Sequence, residues 1–371
     1  MKLKLVVLLF ITSVLLNLFL LGYMALNKFI PGTVLPVLIG VFCLYIFLCG
    51  VLLLKFKTNQ KQLNFIILVG ISSLVIGASV FGLCTSYRIV SMLDKINTTP
   101  ENRTSSSLES ETPFFLYVTG HDNRDDIKND TLSDVDIILA IQPKQKKMFM
   151  VSIPRDTYLA ITGEGENQMD KLTHSGIYGP ETTVQSVGKL FNVNIDYFVK
   201  VNFNSLIRLV DLMGGIDIDN DQEFWSEGKH FNKGVIHLNG DRALTFSRER
   251  HSFKDGDIQR GRNQQKVIKA IIRKAIQPSM ILRANEYVDL MGKYVETNLP
   301  RDRISNLIEG QIIDNRDWDV ESCVLNGHGE LGLPSYAMPN SRLYMYVPDK
   351  EHVNQISKKL NEYVPRRKDA F

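Results

Sequence analysis

The sequence predicts an α/β protein: three N-terminal transmembrane helices, followed by an extracellular α/β sandwich around a central mixed sheet. Three observations lead there. Long runs without a charged side chain fill the chain up to Cys84, and basic residues sit beside only some of the ends of those runs. Beyond Pro113, short β-branched and aromatic runs alternate with amphipathic helical patterns, which is how a sheet covered by helices reads in sequence.

Val6 to Leu26, Pro31 to Leu54 and Leu63 to Cys84 each have about the ~20 residues that a bilayer-spanning helix needs. Lys2 and Lys4 precede the first run, and Lys55, Lys57 and Lys61 separate the second from the third. Lys28 alone lies between the first two. By the positive-inside rule the N-terminus and the second loop are cytoplasmic, so everything after Cys84 lies outside. A cleaved signal peptide would leave two further spans unexplained, and no small-residue cleavage site stands out. Residues 1–87 therefore read as a membrane domain. Arg88 to Thr112, which contains NTTPENRTSSSLESET, reads as a Ser/Thr-rich linker, and residues 113–371 as the extracellular domain.

Composition narrows the function. The 371 residues carry a formal net charge of +3. That balance and the exterior location argue against nucleic acid as a partner. Of the four cysteines, Cys43, Cys49 and Cys84 fall in the apolar runs and only Cys323 in the exterior part, so neither a disulfide framework nor a CxxC metal site is available there.

In the exterior domain, Phe114 to Thr119, Val135 to Ile141 and Lys147 to Ile153 read as strands, the last two forming a hairpin across Gln142 to Lys146. Pro180 to Phe191 has proline at its start and Val184, Val187, Leu190 and Phe191 on one face, so it reads as a helix. Tyr197 to Val201 reads as a strand, Ser205 to Met213 as a helix ended by Gly214 and Gly215, Ile216 to Ile218 as a short strand, and Asp241 to Phe246 as a helical turn. A helix from Asp257 runs until Pro278 stops it. Amphipathic patterns follow at Met280 to Tyr294 and Arg301 to Ile313, then strands at Val320 to Leu325 and Leu343 to Val347, and a last helix from Asp349 to Tyr363.

The chemistry concentrates in Ser247 to Gln265, SRERHSFKDGDIQRGRNQQ. Asp257, Arg260 and Gln264 stand at i, i+3 and i+7, so an acid, a guanidinium and an amide share one face of a helix's first two turns. Arg248 and Arg250 precede them. Between Arg242 and Arg262 there are five arginines and one lysine, a choice that favours paired grips on phosphate oxygens. A solvated basic face is the plainer alternative. Arg155 follows a strand end in VSIPRDT, where ligands of open sheets sit, although a turn arginine paired with Asp156 satisfies the same spacing.

Asp122 follows the first strand and Asp134 precedes the second. Two carboxylates at adjacent strand ends within an arginine-rich pocket suit magnesium, which takes one or two of them and leaves the rest to phosphate and water. Asp125, Asp126, Asp130 and Asp136 are nearby, and spacing alone does not choose among them. Phe198, Val201, Phe203, Leu206, Ile207, Val210 and Leu212 form apolar faces that read either as plain core or as the lining of a lipid tunnel. The histidines, His174, His237 and His251 among them, show no metal-ligand spacing, and GxSxG and P-loop patterns are absent.

Seven motifs in order, GHD, SDVDIIL, VSIPRDT, DKLTHSGIYG, LMGGIDI, LNGDRAL and SRERHSFKDGDIQRGRNQQ, together resemble the LytR-CpsA-Psr family from about Phe114 to about Ile272. The three apolar runs and the late PSYAMPNSRLYMY are similar to its capsule-associated streptococcal-type branch. The resemblance implies the fold of that family and a membrane-anchored phosphotransferase of Gram-positive type. Such an enzyme moves a glycan phosphate of a capsule, teichoic acid or similar polymer from a polyprenyl pyrophosphate carrier to peptidoglycan, releasing polyprenyl phosphate. It implies that Arg155, Arg248, Arg250, Arg260 and Gln264 bind pyrophosphate, that Asp122 and Asp134 hold magnesium, with manganese as the alternative, and that Asp257 is a further acid of the site. It also implies a prenyl tunnel. Members of the family often have arginine where this chain has Leu132, and some carry an accessory domain for which the linker here leaves no room. Two rivals fit the same residues: a polyprenyl-lipid-binding or regulatory module without chemistry, and a pyrophosphatase with water as acceptor.

Overall fold

The computed structural model describes residues 2–26, 35–54, 61–96, 112–122, 132–277, 280, 294–300, 303, 304, 306, 307, 310, 311, 314 and 316–365. The expected linker from 97 to 111, the acids Asp125, Asp126 and Asp130, Pro278 and most of the expected helices 280–294 and 301–313 lie outside the described residues. The chain divides into two units, Met1–Asp94 and Lys95–Phe371.

The first unit consists of helices α1 (Lys2–Leu26), α2 (Leu35–Leu54) and α3 (Lys61–Ile96). Two stretches, Lys4–Ala25 and Gln62–Cys84, are long and apolar enough to cross a membrane, whereas α2 contributes a shorter apolar stretch, Leu38–Leu53. Two such spans, rather than the expected three, therefore stand out. Helix α3 also runs beyond the expected start of the linker at Arg88. Ile89, Met92, Leu93 and Ile96 continue a helical apolar period there, which the polar composition around them hides.

The second unit starts with β1 (Phe114–His121), β2 (Val135–Gln142) and β3 (Lys147–Ser152), followed by a small hairpin of β4 (Tyr158–Ile161) and β5 (Gln168–Lys171). Next come α4 (Pro180–Phe191), β6 (Tyr197–Asn202) and α5 (Phe203–Leu212), then β7 (Ile216–Asn220), β8 (Phe224–Ser226), β9 (Lys229–Phe231) and β10 (Gly234–Leu238). Helices α6 (Gly240–Arg248) and α7 (Asp257–Ala275) precede β11 (Val295–Thr297), β12 (Asp319–Val324), β13 (Gly327–Leu331), β14 (Tyr344–Pro348) and α8 (Lys350–Tyr363).

The main sheet has six strands in the order β11-β6-β1-β2-β3-β12. It is mixed: β1–β6 and β3–β12 run parallel, and the other neighbours antiparallel. The twofold period of a strand sends alternate residues to opposite faces. Phe115, Ile138, Ala140, Phe149 and Val151 pack with Val187 and Phe191 of α4 and Ile356 and Leu360 of α8. Phe114, Ile137, Leu139, Met148 and Met150 pack on the other face with Ile268 and Ile272 of α7. Each such side chain, wholly removed from water, contributes about 1.5–3 kcal/mol. Helices on both faces of one mixed sheet give the α/β sandwich that the alternating pattern predicts.

A third core, with Val210, Ile218, Phe231, Phe246 and Val267, joins α5, α6 and α7 to the small β7–β10 strands. Local chemistry fixes the helix starts here. Asn202 and Ser205 form a reciprocal capping box that begins α5 two residues before the expected Ser205, and the Asn239 side chain accepts from the N–H of Arg242 at 3.0 Å to begin α6. Helix α6 is longer than the expected turn and ends on Arg248.

Candidate active site

The strand ends supply the acids. Asp122 directly follows β1 and Asp134 lies just before β2, and the N–H of Asp134 donates to the carbonyl of Gly120 at 2.8 Å. That bond ties the two strand ends together. Beyond β3, Pro154 to Thr157 form a turn closed by a 2.9 Å bond from the N–H of Thr157 to the Pro154 carbonyl. The turn sends Arg155 back toward Asp134, with which it forms a salt bridge. Burial disfavours the Arg155 charge, but Asp134, Asp156 and Asp257 outweigh it and raise its pKa.

The helices supply the other guanidiniums. Arg248 ends α6, 3.3 Å from Asp122, with its guanidinium carbon over the Phe203 ring, 5.1 Å from the centroid. Helix α7 carries Arg260 and Gln264, both buried. Its approach to the sheet depends on Gly261, where a Cβ would already lie 3.2 Å from Val324 and 3.4 Å from Ser152. Burial depresses the Arg260 pKa, and the neighbouring guanidiniums of Arg155 and Arg250 depress it further. Asp257 and Asp134 work the other way and offset part of that repulsion.

Asp122, Asp134, Arg155, Arg248, Arg250, Arg260 and Gln264 line one cavity of about 560 Å³. Asp257, the remaining expected site residue, is absent from that lining. Its Oδ1 lies 3.4 Å from Arg260 and 3.7 Å from Arg250, so it holds those two arginines in place from behind. The other two arginines of the stretch serve the fold. Arg242 donates to the His230 carbonyl and covers Phe231, and Arg262 pairs with Asp255.

Sequence reasoning gave no site role to Ser226, Glu227, Ser247, Glu249 and His251, which also line the cavity. Ser226 and Glu227 lie in a segment without ligand-like spacing, and the other three stand beside the arginines whose density marks the stretch. Burial opposes the Glu249 charge, yet hydrogen bonds from Ser226 and from the Ser252 and His251 backbone hold its carboxyl below the usual range. Four guanidiniums thus face four carboxylates, Asp122, Asp134, Glu227 and Glu249. By itself that lining has little net charge with which to hold a diphosphate.

A second cavity of about 400 Å³ adjoins the first, sharing Asp122, Asp134 and Arg155 and adding Leu132, Asp156, Lys171, Thr173 and His174. Leu132, where the resemblance leads one to look for arginine, belongs to this second space. The DKLTHSGIYG motif builds its far wall. Leu172 and Thr173 bond back to the Thr157 and Arg155 carbonyls at 2.8 and 2.9 Å. Asp170 accepts hydrogen bonds from His174 Nδ1 at 2.7 Å, the Lys171 N–H at 2.7 Å, Ser335 Oγ at 2.9 Å and the Ala337 N–H at 2.7 Å. Burial works the other way, but these donors draw its carboxyl down to about 2.

Asp136 faces away from both cavities and is fully buried, accepting from Tyr117 Oη at 2.5 Å and Ser133 Oγ at 2.8 Å. Burial pushes its carboxyl up to about 6 despite those donors, with nearby Asp134 adding to the rise. It is a structural acid, separate from the pair that spacing alone left ambiguous.

The apolar residues weighed as a tunnel lining do not share one space. Phe198 packs between the sheet and α4, Leu206 and Val210 pack in the α5–α7 core, and Phe203 alone of the seven lines the first cavity. The strand period sends Phe198 to the opposite face, which a list of apolar positions does not reveal.

The family model LytR_cpsA_psr matches residues 83–362. The polyisoprenyl-teichoic acid–peptidoglycan teichoic acid transferase TagU of Bacillus cereus (strain ATCC 14579) is 34% identical over 300 residues, 78% of this chain and 94% of that protein. Among solved structures, TagU of Bacillus subtilis is 31% identical with a TM-score of 0.53, covering 69% of this chain and 98% of that one. TagT bound to LIIa-WTA is 25% identical with a TM-score of 0.56, covering 71% of this chain and 95% of that one.

Proposed function

The chain belongs to the LytR_cpsA_psr family, and from that premise we propose that it transfers a glycan phosphate from a polyprenyl-pyrophosphate-linked cell-wall polymer to peptidoglycan and releases polyprenyl phosphate. The observation that carries the reading is the convergence of Arg155, Arg248, Arg250 and buried Arg260 on one cavity at the strand ends. Phosphoryl transfer asks a protein mainly to position the phosphates and to cancel the charge that grows on the leaving and equatorial oxygens. Arg248, placed over the Phe203 ring, and Arg155, fixed by Asp134, are preorganised for that task; Arg250 and Arg260 share Asp257 as their support. Gln264 adds a neutral donor. Phe203 gives the cavity an apolar side along which the first isoprene units can lie.

The charge balance supports a divalent cation. Among the described residues no group of three or more His, Cys, Asp or Glu side chains is arranged to hold a metal ion. Asp122 and Asp134 match the one or two carboxylates with which magnesium is content when phosphate and water complete its shell. These two acids would hold magnesium, or manganese, whose chemistry there would be to neutralise diphosphate oxygens. Both acids now pair with arginines, so metal occupancy would release Arg155 and Arg248 toward the phosphates.

In the membrane unit, α2 has 20 residues and thus a length of about 30 Å, the thickness of a hydrocarbon core. That length supports three spans, with the N-terminus in the cytoplasm and the catalytic unit outside, as the lysine distribution indicates.

The test is transfer of radiolabelled glycan phosphate from a polyprenyl-diphosphate-linked sugar to peptidoglycan by the full-length protein in detergent with magnesium. Arg248→Lys loses the planar fork and should slow transfer by about 10²–10³-fold, the cost of one oxyanion donor. Transfer at the wild-type rate refutes the clamp. Release of phosphate products in the absence of peptidoglycan would instead favour a pyrophosphatase, and retention of intact lipid a binding module.

A further inference from the structure

Nothing above assigns the group that takes the proton from the attacking hydroxyl, or the place from which that hydroxyl attacks. The second cavity answers both. It shares Asp122, Asp134 and Arg155 with the diphosphate cavity, so an occupant of one abuts an occupant of the other. Its remaining polar wall is Asp156, Lys171, Thr173 and His174, hydrogen-bonding groups of the kind that receive a hydroxyl-rich ring. Asp156 and Lys171 satisfy each other at 2.7 Å, which leaves the imidazole as the group suited to proton transfer.

The tautomer of that imidazole is fixed by its partner. Asp170 is ionised and accepts four hydrogen bonds, one of them with His174 Nδ1 at 2.7 Å, so Nδ1 carries the proton. In the neutral ring Nε2 is then the basic nitrogen. Ser335 and Ala337 lock Asp170 from the late PSYAMPNS segment, and a carboxylate that orients a histidine and steadies its charged form is the arrangement that a general base requires.

We infer that the second cavity is the acceptor subsite, taking a sugar hydroxyl of the peptidoglycan glycan, and that His174 is the catalytic base for its attack. The inference rests on reading the first cavity as the diphosphate site. In the step, the acceptor oxygen forms a bond to the phosphorus nearest the transferred glycan, and the bond from that phosphorus to the bridging oxygen breaks. The bridging oxygen leaves with the electron pair on polyprenyl phosphate. The hydroxyl proton passes to His174 Nε2, giving an imidazolium opposite Asp170, and is later lost to water.

Two substitutions separate a base from a mere latch. His174→Asn keeps a donor where Nδ1 stood, so Asp170 stays satisfied, but it offers no base; His174→Ala leaves room for free imidazole. The full-length protein in detergent is assayed for binding of a polyprenyl-diphosphate-linked N-acetylglucosamine and for transfer to lysozyme-solubilised peptidoglycan. His174→Asn is expected to bind the lipid as wild type does and to transfer about 10²–10⁴-fold more slowly, and added imidazole is expected to restore part of the transfer by His174→Ala. Transfer by His174→Asn within a few-fold of wild type overturns the assignment. So does loss of lipid binding together with transfer, which would make His174 a structural support. Arg248→Lys, run alongside, reports on the first cavity separately: if it binds and transfers normally, the diphosphate reading fails whatever His174 does.

Discussion

Replacing Asp170 by asparagine removes a charge that four donors converge on, and the structure sets the size of the effect. Those donors, working against burial, bring the Asp170 carboxyl from 3.8 to about 2. A drop of nearly two pH units at about 1.36 kcal/mol each corresponds to roughly 2.5 kcal/mol of folding free energy. The isosteric amide keeps one acceptor and adds donors where donors already point, so most of that contribution should disappear. The melting temperature should fall by roughly 5–10 °C for a unit of this size. The pH dependence gives the sharper signature. A depressed carboxyl stabilises the fold above its unfolded value, near 3.9, and that stabilisation is lost as pH falls through about 2. The difference between wild type and Asp170→Asn should thus be flat above about pH 5 and shrink steadily from about pH 4 to 2. Urea denaturation of the full-length protein, followed by circular dichroism at each pH, measures it. A difference under about 0.5 kcal/mol at neutral pH, or one that does not shrink on acidification, refutes the account.

Asp136 should behave in the opposite sense. Its carboxyl is raised to about 6, so the fold favours the protonated form and wild-type stability should decline as pH rises from about 4 to 6. Asp136→Asn should remove that decline and be the more stable protein at pH 7 by about 1–3 kcal/mol, checked by the same denaturation series. Gly240 lies so close to α5 that a Cβ would sit 2.1 Å from the Ile207 carbonyl oxygen. Gly240→Ala should cost about 1–3 kcal/mol in a thermal melt and, because α6 ends on Arg248, should slow transfer as well; an alanine variant that melts with wild type would show that α5 and α6 are free to separate.

Much of the fold was legible because its central elements carry strong local signals. Phe114 to Thr119, Val135 to Ile141 and Lys147 to Ile153 are short apolar runs rich in β-branched and aromatic residues, Pro180 to Phe191 has the helical period, and each forms the element its pattern predicts. The hairpin of β4 and β5 and the strands β8 and β9 were not legible. Gln168 to Lys171 and Lys229 to Phe231 are too short and polar to show a period, and they are strands because each folds back on the strand just before it and completes its ladder. The site divides in the same way. Arg260 and Gln264 were visible from their spacing on one helix, and Arg248 and Arg250 from arginine density. Glu227, Glu249 and His174 reach the cavities from turns and a 3-10 helix, where spacing carries no sign of destination. Asp257 shows the reverse, since a shared helix face does not decide whether a carboxylate reaches the lumen or props up its neighbours.

The stitch between the Asp134 N–H and the Gly120 carbonyl has a wider consequence. It fixes the two acids by the strands beneath them, so their separation is set by the pairing of β1 with β2. A change of sequence between the two acids would leave the register of Asp122 and Asp134 untouched. Descendants of one ancestral scaffold could in this way vary in sequence between the two acids while the reacting centre stayed as it was.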